Sequence, residues 1–126
     1  MNIYILIAGI FAGFTTFGHF TMGSKLYLKP MLKADFDNIS KKVMHCVFHY
    51  VSVYLILSSL VLLGAGIGVK NIEFPSLLLH FIAVHYIAFA FVQIVIGLSS
   101  TKQRSLFKMF QWTFFVLIAA LIWLGI

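Results

Sequence analysis

Residues 43–69 read VMHCVFHYVSVYLILSSLVLLGAGIGV, an uninterrupted stretch without a single Asp, Glu, Lys or Arg. At a rise of about 1.5 Å per residue it is more than long enough to cross a hydrocarbon core about 30 Å thick, which needs roughly 20 apolar residues. No alternation of polar and apolar residues at a period of two runs through it, so a helix is indicated rather than a barrel strand. Three further uncharged runs flank it, at 2–22, 76–99 and 106–126, the last after Lys102 and Arg104 and broken only by Lys108. The pattern predicts an all-α fold: an integral membrane four-helix bundle forming one transmembrane domain over 1–126, with an interfacial loop at 24–42.

Composition agrees with that reading. Of the 126 residues, 62% are hydrophobic and only 10% are charged, far from the balance of a water-soluble domain. The first apolar run has no basic n-region and no A-x-A-like cleavage site, so it reads as a retained helix and not as a signal peptide. The net charge of +6 could suggest nucleic acid, but its distribution has a simpler cause. Eight of the nine basic residues flank the first and third connections, and Lys70 alone sits in the second. Basic residues in short loops favour the cytoplasmic side, so both termini are expected on the non-cytoplasmic side. In a bacterium that is the inner membrane, with the basic clusters close to anionic lipid. The expected partners are therefore the lipid bilayer and a second copy or another membrane protein, with no nucleic acid.

Within the helices, small residues mark packing faces. Gly9-Ile-Phe-Ala-Gly13 has the small-xxx-small spacing that lets helix backbones approach in lipid. At about 100° per residue, Ala8, Ala12, Thr15, Thr16, His19 and Gly23 form one stripe, expected to face inward. Gly64-Ala-Gly-Ile-Gly68 is expected to end the second helix. Asp37, Asn38 and Ser40 are candidate N-caps for its start, and Pro30 is expected to interrupt any single helix through the first connection.

Polar side chains then collect at one depth. Counting along antiparallel helices places His19, His45, His49, Gln93 and Gln111 within roughly 10 Å of the cytoplasmic boundary, one contribution or more from every helix. Polar groups inside a bilayer are costly unless they find partners, which makes such a layer a candidate site. Imidazoles suit zinc, copper and iron, and His45 and His49 stand at i and i+4. The leading expectation is a transition metal held by His19, His45 and His49, with Gln93, Gln111 and Thr15 contacting the bound group. A b-type haem between His19 and one of the other two is a weaker expectation. His80, His85 and Ser52 are expected to be further buried polar groups.

Other classes fit less well. All three carboxylates, Asp35, Asp37 and Glu73, fall in connections, which disfavours a carboxylate-bridged di-iron site. The lone Cys46 excludes an internal disulfide and any C-x-x-C motif, and no orienting group marks it as a nucleophile, so nothing identifies an enzyme. A layer of His, Gln and aromatic residues near one face also suits a quinone. Two alternatives stand beside metal binding: a non-catalytic assembly subunit in which the polar layer is hydrogen-bonded glue, or an oligomeric transporter of protons, ions or small solutes.

Overall fold

The computed structural model describes residues 1–70, 72–99 and 108–126. They form α1 (Ile3–Gly18), a π-helical segment (His19–Leu28), α2 (Lys29–Lys33), α3 (Asn38–Ile67), α4 (Ser76–Ser99) and α5 (Gln111–Gly125), with no strand among the described residues. Ile3–Lys33, Asn38–Ile67 and Ser76–Ser99 are each long and apolar enough to cross a membrane, and Gln111–Gly125 is a shorter apolar helix.

The expected loop at 24–42 is the main departure. Helix continues from α1 through the π-helical segment and α2 to Lys33, and α3 already begins at Asn38. Only 34–37 lie outside a helix. Lysines at 25, 29, 33, 41 and 42 are tolerated because a helix surface suits them as well as a loop does. Pro30 does not break the chain's course because it falls in the first turn of α2, where a missing N–H costs least. Asp37 is the cap that starts α3: one carboxylate oxygen accepts from the Ser40 N–H at 2.7 Å and from the Ser40 hydroxyl at 2.9 Å. Both bonds favour the ionised form and hold its pKa below the usual carboxylate value. The last helix is described over Gln111–Gly125, after a helical Lys108 and a turn at Met109 and Phe110; residues 106 and 107, where it was expected to start, lie with Lys102 and Arg104 outside the described residues.

Asn2 gathers three helix ends. Its side-chain oxygen caps α1 by accepting from the Ile5 N–H at 3.2 Å, its amide nitrogen donates to the Gly125 carbonyl at 2.6 Å, and its backbone N–H donates to the Gly66 carbonyl at 2.8 Å. The start of α1 therefore meets the ends of α3 and α5, and runs antiparallel to both. Gly68 closes α3 in the left-handed region at φ 74°, a conformation natural only to glycine, and its N–H returns to the Gly64 carbonyl.

Small residues decide which helices touch. A Cβ on Gly66 would lie 2.4 Å from the Leu6 Cα, and one on Gly9 would lie 2.7 Å from the Leu63 nitrogen, so α1 and α3 meet backbone to backbone. Gly13, the other half of the expected motif, has nothing within 4 Å. Close backbone packing also joins α1 to α5 and α4 to α5. Helices α3 and α4 meet through long side chains instead. The Ser58 and Tyr86 hydroxyls are 2.8 Å apart, the Tyr54 hydroxyl donates to the Ile82 carbonyl at 3.3 Å, and Tyr54 stacks on His85 at 5.1 Å. The core runs down the axis through Ile5, Ala8, Ala12, Leu55, Leu62, Ile82, Tyr86, Ile118 and Ile122. Large apolar side chains such as Phe17, Leu60, Leu77, Leu98 and Leu124 face outward, which suits lipid and would be costly in water.

Candidate functional site

Away from the end tied by Asn2, the described residues leave the bundle axis unfilled. A cavity of about 700 Å³ opens among all four helical walls. Phe14, Phe48, Phe89, Phe110, Phe114 and Phe115 supply most of its surface together with aliphatic residues, and the polar side chains on it are Thr15, His19, Tyr27, Gln93 and Gln111. Four residues predicted to contact a bound group, His19, Gln93, Gln111 and Thr15, are thus brought to one space.

One polar station is built around His19, the first residue of the π-helical segment. Its ring stacks on Phe48 at 4.1 Å, nearly parallel at 18°. Nε2 lies 2.9 Å from the Ser52 hydroxyl and 3.3 Å from the Phe48 carbonyl, while the Ser52 hydroxyl donates to that same carbonyl at 3.0 Å. Ser52 has one proton and spends it on Phe48, and a carbonyl can only accept. The network therefore assigns the ring proton to Nε2, which leaves Nδ1 as an acceptor. No hydrogen bond reaches Nδ1 among the described residues. Gly23 keeps the approach open: a Cβ there would stand 3.7 Å from Nδ1, and a larger side chain would cover it.

The second station spans α4, α5 and the π-helical segment. Gln93 donates from Nε2 to Gln111 Oε1 at 3.2 Å, Gln111 Nε2 points to the Tyr27 hydroxyl at 3.5 Å, and Tyr27 donates to the Lys108 carbonyl at 3.0 Å. Gln93 Oε1 ends this chain, buried and without a partner among the described residues. Buried acceptors are nearly always paired, so such an atom calls for a donor from elsewhere. Thr15 contributes less than expected, since its hydroxyl donates back to the Phe11 carbonyl at 2.9 Å.

The remaining histidines lie elsewhere. His45 and His49 are absent from the cavity wall; their Nε2 atoms are 3.1 Å apart at the surface of α3, and His49 is exposed. Phe48 takes the inward position that the helical spacing had suggested for His49. Among the described residues no three His, Cys, Asp or Glu side chains converge as a metal site. Ser52 is buried as expected, at 3% exposure. His80, expected to be buried, is exposed, and His85 is partly exposed; each bonds through Nδ1 to a carbonyl of its own helix, Ser76 at 2.8 Å and Phe81 at 3.0 Å. A histidine that satisfies itself this way needs no interior partner.

Tyr27 and Phe48 are site residues that the sequence reading missed. The signal for Tyr27 was its spacing: His19, Gly23 and Tyr27 stand at i, i+4 and i+8, one face of a helix that was expected to have ended. Comparison with protein-family models, with curated proteins and with solved structures gave no match.

Proposed function

We propose that this chain is an integral membrane protein that binds a flat lipophilic molecule of the quinone class between its four helices. The observation that carries the reading is the cavity itself: about 700 Å³, walled mainly by aromatic and aliphatic side chains, with two polar stations that each hold an acceptor lacking a donor among the described residues. Ligand sites commonly combine apolar walls with a few placed polar groups. A quinol would donate one hydroxyl to His19 Nδ1 and, once the Gln93 amide turns its buried Oε1 toward the cavity, the other to Gln93. The oxidised quinone would instead accept from the second N–H of the Gln111 amide, or from His19 once its ring proton moves to Nδ1. The six phenylalanines suit a planar ring and the start of a lipid tail.

Lys25, Lys29, Lys33, Lys41, Lys42 and Lys108 sit at the cavity end of the bundle and Lys70 with the chain termini at the other, so the positive-inside bias favours a pocket toward the cytoplasmic leaflet. A centre of His19, His45 and His49 has less support, because Ser52 holds the His19 Nε2 and the other two histidines lie off the cavity wall. A haem between two histidines has the same difficulty. Hydrogen-bonded glue leaves the unpaired Gln93 oxygen without a reason.

The test is solvent extraction of the detergent-purified chain, followed by titration of the stripped protein with a short-chain benzoquinone or naphthoquinone, read by quenching of tryptophan fluorescence. Up to one extractable quinone per chain, and saturable quenching weakened in His19→Leu and Gln93→Leu, are expected. Neither an extractable lipophile nor saturable quenching would overturn the proposal, and a Soret band in the purified protein would replace it by haem.

A further inference from the structure

The other unexplained polar feature is the pair His45 and His49, and it stands apart from the pocket. We propose that these two imidazoles form a chelating site for one divalent transition-metal ion of the copper, nickel or zinc class, on the surface of α3.

The geometry suits a two-nitrogen chelate. The two Nε2 atoms lie 3.1 Å apart, with ring centroids at 4.9 Å and planes tilted by 47°. Two imidazole nitrogens bound to one ion at about 2.05 Å, and separated by that distance, subtend an angle of about 98° at the metal. That lies between the square-planar and tetrahedral angles that copper, nickel and zinc favour. In the metal-free pair one Nε2 proton serves both rings. A divalent ion takes the place of that proton, which passes by way of solvent to Nδ1 of the same ring, so that both neutral rings present an Nε2 lone pair.

Tautomers favour this pair over the other histidines. His19 uses Nε2 for Ser52, and His80 and His85 have Nδ1 committed to carbonyls of α4. Neither His45 nor His49 has an Nδ1 bond among the described residues, so each ring can carry its proton there and offer Nε2 to an ion.

Depth supplies access. His49 precedes Gly68 by 19 residues, about 28 Å of helix, which is close to one hydrocarbon thickness. With Gly68 at one interface, the pair reaches the other, where water fills the remaining coordination positions. Lys41, one turn before His45, has its ammonium over the Phe36 ring at 5.4 Å. With two protein ligands and open positions, the site exchanges its ion readily.

The test uses the full-length chain without a polyhistidine tag, in detergent, with copper(II) as the probe and electron paramagnetic resonance as the readout. One copper per chain with nitrogen coupling is expected. Loss of outer-sphere partners alone costs about 10–100-fold in metal affinity, so His45→Asn or His49→Asn is expected to weaken binding at least about tenfold. Circular dichroism should show the helices intact, since His49 is exposed. His19→Asn is expected to leave copper binding unchanged. Copper uptake no greater than that of the His45→Asn/His49→Asn double variant would overturn the proposal, as would an equal loss in His19→Asn. Neither outcome bears on quinone binding, which is read by a different ligand and different residues.

Discussion

Replacing Gln93 by leucine is expected to make the empty protein more stable and the liganded one weaker. In the structure the Gln93 amide makes one hydrogen bond, to Gln111 at 3.2 Å, and leaves its oxygen buried and unpaired among the described residues. A buried unpaired acceptor costs about 1–3 kcal/mol, while a neutral hydrogen bond contributes about 0.5–1.5 kcal/mol. Leucine has similar bulk and removes both, and Gln111 borders the cavity, where water can satisfy it. The balance is a gain of about 1 kcal/mol for the stripped protein. The same change deletes an acceptor for the ligand, and a loss of about 1.4 kcal/mol is a tenfold rise in Kd. The assay is thermal unfolding of stripped wild type and Gln93→Leu by circular dichroism, paired with quinone titration of both. The reasoning fails if the variant is destabilised when empty, because the oxygen would then be doing structural duty. It fails equally if quinone affinity is unchanged.

Three further outcomes follow from packing and capping. Gly66→Ala, which sets a methyl 2.4 Å from the Leu6 backbone and strains the bond from Asn2, is expected to lose about 2–4 kcal/mol in detergent unfolding, whereas Gly13→Ala, with nothing within 4 Å, is expected to be neutral or slightly stabilising. Tyr86→Phe is expected to lose about 1 kcal/mol by the same measurement, since the ring remains and Ser58 keeps its bond to the Leu55 carbonyl; Tyr86→Ala should lose about 3–5 kcal/mol. The Asp37 cap has a depressed pKa, so its contribution is complete above the ordinary value of 3.8 and disappears as pH falls through the lowered folded value. Amide exchange at Ser40, compared with exchange deeper in α3, is expected to accelerate in that acid range and to be fast at all pH in Asp37→Ala.

The helices were legible because uncharged runs of membrane length have few other uses. Their ends were not. Lysines at 25, 29 and 33 together with Pro30 read as a loop, yet a helix that continues past the apolar run carries lysine on its surface without cost, and a proline in a first turn does not stop it. A shared level along the bundle was legible for His19, Gln93 and Gln111, because rise per residue converts position directly to height. Direction around the axis was harder. A fixed step of about 100° put His45 and His49 on the Ser52 face, but Phe48 packs against His19 there, and the two histidines satisfy each other outside. The π-helical register from His19 to Leu28 has no mark in composition, and it sets which side chains meet the cavity. Gly9 and Gly13 looked equivalent as letters; only the fold distinguishes the one pressed against Leu63 from the one facing open space.

The four sides of the bundle are not closed alike. Three are sealed by helix backbones in close contact, and parting them requires whole helices to move. The fourth, between α3 and α4, is spanned by side chains, with the partly exposed Tyr54 and His85 outermost, groups that can turn about their own bonds far faster than helices shift. A molecule dissolved in the bilayer that enters by this side never crosses water. Its occupancy would then follow its concentration in the leaflet, so that a compound with modest intrinsic affinity but strong partitioning into lipid could keep the pocket filled.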